Sequence, residues 1–405
     1  MKIKSAVLAA IGDELLSGAR LEKNCSFMAK NFHNKGVKLK RIEIISDEED
    51  EIINLLSRWV GKVDLLIVSG GLGPTHDDKT RYAIAKYLGC DLYSDSLYDK
   101  VVERVKDDPK RLEYTERCRN PQAMIPELAA PVFNPTGFAL GIKFEKDGTK
   151  VIALPGVPME YESMTRQELP EIFSENTQDY AWTSIIILDV PEMTIANKIP
   201  EVINNKNLHV SILPAFPQVE LIIRGEPEIV NNAEKIIREK FPDALPKGCA
   251  SIAEAVLFEA KIKNVKISCA ESCTGGLVGA ALTEIPGSSE SFNGSAVTYS
   301  NEAKIKILGV DEQTLKNFGA VSEQCAREMA EGALKVYDTD FAVSTTGIAG
   351  PDGGTELKPV GTVCFGVASK NKTKTFTKIF PGNRQEVRTR AVRFILAELL
   401  KKIRS

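Results

Sequence analysis

Apolar runs that each end in a glycine-containing turn, with amphipathic stretches between them, constrain the fold of this chain more than any other feature of its sequence. The first part reads "IKSAVLAAIG", a polar turn and a helix through Lys35, "VKLKRIEIIS", the helical "EEDEIINLLSRWVG", then "DLLIVSG". Strands alternating with helical segments are the sequence form of βαβ units, whose strands run parallel. The fold class is therefore α/β. The same pattern locates ligands, because the turns after parallel strands gather at the sheet's carboxyl edge.

At 405 residues the chain exceeds one ordinary core,. Three domains are expected, at 1–170, 171–247 and 248–405. In the middle stretch "AWTSIIILDV", "MTIANKIPEVI", "HVSILP", "VELIIRG" and "EPEIVNNAEKIIREKF" read as a small α+β unit without evident chemistry, a structural or dimer-forming spacer,. The last part starts with the helix "SIAEAVLFEAKIK", continues through the strands "VKISCA", "GSAVTYS", "DFAVSTTG" and "VGTVCFGVAS", and closes with the helix "QEVRTRAVRFILAELLKKI", a second α/β domain,.

With 52 basic and 55 acidic residues interspersed, the formal charge of −3 leaves no basic face for a phosphate backbone, so nucleic acid is not an expected partner,. Eight cysteines without C-x-x-C pairs predict free thiols in a reducing cytoplasm,. The opening apolar run stops at Gly12, Asp13 and Glu14, which suits a buried first strand better than a signal peptide,. No run approaches the roughly 20 apolar residues that span a bilayer.

"AESCTGGLVGA", from Ala270, sets Ser272, Cys273 and Thr274 at a strand-to-helix bend. In that geometry a nucleophile is held at an exposed strand end, and Gly275 and Gly276 leave amides for an oxyanion or phosphate. The three histidines of the chain are His33, His76 and His209, so a Ser-His-Asp triad cannot be built within this domain. An activated serine there needs another base, and lysine is the usual substitute.

"TYSNEAKIKILGV" supplies one: Asn301 caps a helix and Lys304 lies on its first turn, within reach of Ser272,. As a base near neutrality its amine would have to lose its proton about three pH units below its ordinary value near 10.4, an effect worth about 4 kcal/mol. Tyr299 is a candidate proton relay. Lys304 as a solvated helix residue is the competing reading, and Cys273 is the rival nucleophile. "STTGIAGPDGGTELKPVG", with Gly347 and Gly350, reads either as a phosphate or ribose cradle or as a surface loop,. Arg384 and Arg388, around the start of the last helix, could pair with a phosphate.

In the first domain, "VDLLIVSGGLGPTHDDKTRYAIAKYLG" sets Gly70, Gly71, Gly73 and Thr75 between a strand and a helix, but matches neither the P-loop nor the Rossmann spacing,. Asp77 and Asp78 are candidate ligands for a divalent metal, or helix caps. Asp13 and Glu14 follow the first strand; Pro155, Gly156 and Glu160 follow a later one. Three such strand ends point to a site more strongly than one would.

The stretches "AESCTGGLVGAALTEIPGSSESFNGSAVTYSNEAK", "GAVSEQCAREMAEGAL", "TTGIAGPDGG" and "KPVGTV" resemble the C-terminal domain of the CinA family, the nicotinamide mononucleotide deamidases. The resemblance implies metal-free hydrolysis of nicotinamide mononucleotide to nicotinate mononucleotide and ammonia, by a Ser272–Lys304 pair with Tyr299. Residues 1–169 resemble the family's molybdopterin-binding-like domain, which implies a metal-dependent ADP-ribose pyrophosphatase, with Mg or a similar ion as cofactor. "NPTGFALGI" departs from the usual "N-x-x-G-T-A-P-G" and puts Phe138 and Leu140 where a threonine and a proline are usual. The middle segment resembles the family's small linking domain. The family further implies a homodimer in the cytoplasm; a non-catalytic, competence-related nucleotide-binding partner is the alternative.

Overall fold

The computed structural model describes residues 2–33, 35–173 and 181–405. It is mixed α/β and divides into two compact units, Met1–Trp182 and Thr183–Ser405, so the small middle sheet and the last domain form one unit.

The first unit is built on a six-stranded sheet ordered β2-β1-β3-β8-β7-β6. Its strands are β1 (Ser5–Ile11), β2 (Lys38–Ile45), β3 (Leu65–Ser69), β6 (Ala130–Val132), β7 (Gly141–Lys146) and β8 (Thr149–Leu154); β4 (Leu92–Ser94) and β5 (Met124–Pro126) make a separate antiparallel pair. The expected parallel arrangement holds for β2, β1, β3 and β8, whereas β7 and β6 turn antiparallel. The reason is local: β7 and β8 are joined by a two-residue turn at Asp147 and Gly148, which have positive φ, and so short a link can only reverse the chain,. Side chains alternate between two cores. Val7, Ala9, Leu66 and Val68 pack on one face, and Ala6, Leu8, Leu65 and Ile67 on the other. Burial on both faces explains why these strands read as continuous apolar runs.

The second unit begins with a three-stranded sheet, β10-β11-β9, made of β9 (Ala181–Leu188), β10 (Leu208–Ala215) and β11 (Gln218–Gly225). The helical stretch expected at "MTIANKIPEVI" is split into Glu192–Lys198 and Pro200–Ile203, because Pro200 lacks the amide that would continue the first helix,. A five-stranded sheet follows, ordered β13-β12-β14-β15-β16, from β12 (Ile267–Glu271), β13 (Phe292–Val297), β14 (Phe341–Gly347), β15 (Thr362–Ser369) and β16 (Lys372–Ile379). β13, β12 and β14 are parallel; β15 and β16 are antiparallel. The C-terminal helix Arg384–Arg404 covers one face, and its Val387, Ile395 and Leu399 share a core with Ile267, Cys269 and Phe365 and also with Ile186 and Leu245 of the small sheet's neighbourhood. That shared core is why the middle segment joins the last domain. All eight cysteines are free thiols. Among the described residues no helix is long and apolar enough to cross a membrane.

Candidate active site

β12 lies between β13 and β14, so the carboxyl ends of three parallel strands meet at Ser272. Ser272 follows β12 directly, and its amide donates to the Thr345 carbonyl of β14 at 2.9 Å. Its side chain is only 8 % exposed. Lys304, on the helix Asn301–Leu308 that follows β13, is 1 % exposed and places Nζ 3.0 Å from Ser272 Oγ. Ser300 rather than Asn301 caps that helix, its hydroxyl accepting the Ala303 amide. The solvated alternative for Lys304 is thereby corrected: a helix residue this close to a strand end points under the sheet's edge, not into water.

Two further contacts orient the Lys304 amine. Nζ donates to the carbonyls of Thr298 at 2.9 Å and Tyr299 at 3.2 Å. The two carbonyls and the Ser272 hydroxyl are the hydrogen-bond partners that fix the amine's position,. Burial lowers the Lys304 pKa, and no carboxylate pairs with it among the described residues. Cys273 is 5 % exposed and burial pushes its thiol up to about 12, so the rival nucleophile stays protonated at neutral pH,.

Glu271, the last residue of β12, is the functional side chain that the motif reading passed over. It is fully buried, and its carboxylate accepts from Thr274 Oγ1 at 2.7 Å, Gly276 N at 2.9 Å, Val278 N at 3.0 Å, Gly279 N at 2.8 Å and Ser295 Oγ at 2.9 Å. The positive end of the helix Leu277–Thr283 is thus neutralised from inside the protein,. The expected amides of Thr274 to Gly276 are corrected accordingly: Gly276 N is held by Glu271 and Gly275 N by the Ser272 carbonyl at 3.1 Å. The amide of Thr274 makes no backbone hydrogen bond among the described residues. Thr274 itself is buried, its hydroxyl held between Glu271 and Thr345. The signal was the acid directly before the serine, but adjacency alone does not show a side chain folding back over the next turn.

Tyr299 also differs from expectation. Its ring is 61 % exposed and its hydroxyl accepts from Arg384 Nη2 at 3.1 Å, so only its carbonyl faces Lys304 and the phenol is no relay here. Arg384 also donates to the Gly350 carbonyl at 3.0 Å, which ties the glycine loop to the last helix. That loop is pinned a second time, by Lys358 Nζ to the carbonyls of Phe318 and Val321. Gly347 closes β14 against β15, where a Cβ would strike the Thr362 carbonyl at 2.6 Å, so it serves strand packing. Arg388 donates to the Thr274 carbonyl at 2.8 Å and lies over Gly275.

In the first unit the ends of β1, β3 and β8, adjacent in the sheet, open into a cavity of about 370 Å³. Glu14, Gly70, Gly71, Gly73, Asp77, Asp78, Pro155, Gly156 and Glu160 line it; Asp13 and Thr75 stand outside the lining. Gly70 has φ 113° and its α-carbon faces the Ile11 carbonyl, which a Cβ would strike, so the close approach of these two strand ends requires glycine,. Thr75 donates its amide and hydroxyl to Asp78 Oδ2 at 2.9 and 2.6 Å. Asp47, which the sequence reading omitted although it follows β2, also lines the cavity; burial and then the carboxylates of Asp13 and Asp77 hold its carboxyl above the ordinary range. Burial likewise raises Glu160, which accepts from Asn134 Nδ2 at 2.7 Å. No three metal-binding side chains converge among the described residues. Asp77 and Asp78 both line the cavity, and Asp78 is held in place by Thr75.

Comparison with known proteins gives these sites a lineage. Residues 249–403 match the family model described as the CinA C-terminal domain, and residues 7–174 the one described as a probable molybdopterin binding domain. The chain is 35 % identical to a CinA-like protein of Fervidobacterium nodosum, covering 96 % of each, and 36 % identical to a putative competence-damage inducible protein of Clostridium perfringens, covering 96 % of this chain and 97 % of that one. A solved competence/damage inducible protein from Agrobacterium tumefaciens is 42 % identical over 38 % of this chain and 94 % of its own, with a TM-score of 0.37. Similarity at this level along nearly the whole length, with both family models matched in order, makes this chain a member of the CinA family.

Proposed function

We propose that the second unit hydrolyses the carboxamide of nicotinamide mononucleotide to nicotinate mononucleotide and ammonia. The observation that carries this reading is the buried Lys304 amine, which lies 3.0 Å from Ser272 Oγ and donates to the carbonyls of Thr298 and Tyr299. Lys304 takes the Ser272 proton as Oγ attacks the carboxamide carbon, and the carbonyl oxygen becomes an oxyanion stabilised by the backbone amides of the bend that follows Ser272, the Thr274 amide among them. Each such donor contributes about 3 kcal/mol at an acyl-transfer transition state. The carbon–nitrogen bond then breaks, Lys304 returns the proton to the leaving nitrogen, and ammonia departs. Water, deprotonated by the same amine, releases the acyl group as a carboxylate and restores Ser272. Arg384 and Arg388 provide positive charge for the nucleotide's phosphate.

The test is ammonia release from nicotinamide mononucleotide in EDTA. The native protein and Cys273→Ala should turn over, whereas Ser272→Ala and Lys304→Ala should fall by ~100-fold or more, as loss of a nucleophile or base causes. A dead Cys273→Ala with an active Ser272→Ala would refute the mechanism. Binding without turnover by the native protein would favour the non-catalytic, competence-related alternative.

A second reading rests on the cavity of the first unit: metal-dependent hydrolysis of the diphosphate of ADP-ribose. The glycine turns leave backbone amides for phosphate oxygens. Asp77 and Asp78 would hold the ion, which when bound polarises the diphosphate and activates water. Asp77→Ala should abolish ADP-ribose hydrolysis and leave ammonia release intact; hydrolysis that survives both this change and EDTA would refute it.

A further inference from the structure

Glu271 of β12 and Thr345 of β14 are direct partners across two neighbouring parallel strands, and both are fully buried. A hydroxyl buried in a sheet costs free energy unless it is hydrogen-bonded. Thr345 Oγ1 lies 2.6 Å from Thr274 Oγ1, and Thr274 Oγ1 donates to Glu271 Oε2 at 2.7 Å. A hydroxyl has one hydrogen, so Thr274, having given its own to the carboxylate, accepts the one from Thr345. The chain therefore runs in one direction, from Thr345 through Thr274 to Glu271.

Thr345 also holds the bend by its backbone, because its carbonyl accepts the Ser272 amide at 2.9 Å. From another element, Arg388 Nη2 donates to the Thr274 carbonyl at 2.8 Å. Thr274 is thus fixed through its hydroxyl and its carbonyl, while its amide makes no backbone hydrogen bond among the described residues. The far end of the chain is rigid too, since Glu271 is anchored by the amides of Gly276, Val278 and Gly279 and by the Ser295 hydroxyl. Gly279 permits that close approach: a Cβ there would stand 3.0 Å from Ser295 Cβ and 3.5 Å from Glu271 Oε1.

We propose that Thr345 is a positioning residue for the deamidation, its hydroxyl acting through Thr274 and the buried Glu271 carboxylate to fix the bend that presents the Thr274 amide to the developing oxyanion. This rests on reading the second unit as an amidase. Thr345 does not touch the substrate; it sets the direction of a donor that does. An oxyanion donor works only when it is already aimed, because the protein does not reorganise as the charge forms. The Thr345 hydroxyl therefore matters for the transition state and little for the bound substrate.

The test measures ammonia release by the full chain from nicotinamide mononucleotide and from its thioamide analogue, in which sulfur replaces the carbonyl oxygen. Thr345→Val keeps the shape of the side chain and removes the donor. It should lower kcat on the oxygen substrate by about tenfold, as misalignment of a catalytic group does. KM should stay within about twofold of native, because the lost interaction belongs to the transition state. Sulfur accepts hydrogen bonds weakly, so the native preference for the oxygen substrate should shrink by a similar factor in the variant. Thr345→Ser should restore both kcat and the preference. Thr274→Val interrupts the same chain at its middle, so the double variant should be no slower than the slower single one. If Thr345→Val shows no cooperative urea transition, Thr345→Ala carries the same predictions. Unchanged kcat, equal loss on both substrates, failure of serine to rescue, or additive losses in the double variant would each overturn the positioning role and leave the amidase reading standing. Native protein that releases no ammonia refutes that reading, and the positioning role with it.

Discussion

At the scale of single residues, Lys304 makes the sharpest prediction. Burial lowers its pKa, and only the neutral amine can accept the Ser272 proton. The deamidase kcat/KM should therefore fall as pH drops through that lowered pKa and level off above it. The sign follows from the protonated form having no lone pair; a pH–rate profile without this acid limb would remove Lys304 as the base. Lys304→Arg should not rescue activity, since guanidinium keeps its proton throughout the range. Glu271 makes the matching structural prediction. Glu271→Ala leaves five donors without their acceptor and should cost about 3 kcal/mol or more, read as a shift in the urea midpoint,. The need for a non-histidine base could be read from composition alone. The role of Glu271 could not, because it depends on where a side chain turns after the strand has ended.

At the scale of elements, the last helix begins with a capping box in which Asn383 accepts the Glu386 amide at 3.0 Å and Glu386 accepts the Asn383 amide at 2.7 Å. Asn383→Ala should cost about 1 kcal/mol of stability. Because Arg384 and Arg388 leave from this same first turn toward Gly350, Tyr299 and Thr274, the variant should also raise KM for nicotinamide mononucleotide more than it lowers kcat. Steady-state kinetics beside a denaturation curve would separate the two effects. Strands β1, β3, β12 and β14 were legible in the sequence because they are buried on both faces and therefore apolar without interruption,. The antiparallel edges were not. Whether a strand joins parallel or antiparallel depends on its partner and on the length of the connection, not on its own composition.

At the scale of the whole molecule, the two proposed sites draw on different strand ends in different compact units. EDTA should therefore silence ADP-ribose hydrolysis and spare ammonia release, and Ser272→Ala should do the reverse. A single change that lowers both rates equally would contradict separate sites. What the sequence determined by itself is the α/β class, the glycine turns at strand ends and the lack of a histidine near Ser272, with Lys304 as one candidate base beside a rival Cys273. These follow from local periodicity, from turns that only glycine permits, and from a histidine count that rules out the common base. What tertiary structure decided is how the groups are placed: Lys304 buried and aimed at Ser272, the helix amides claimed by Glu271, the Tyr299 phenol turned to Arg384, and Phe138 lining a cavity while Leu140 fills a core. Those outcomes depend on burial and on partners distant in sequence, and a buried polar group's behaviour is set by the neighbours that satisfy it.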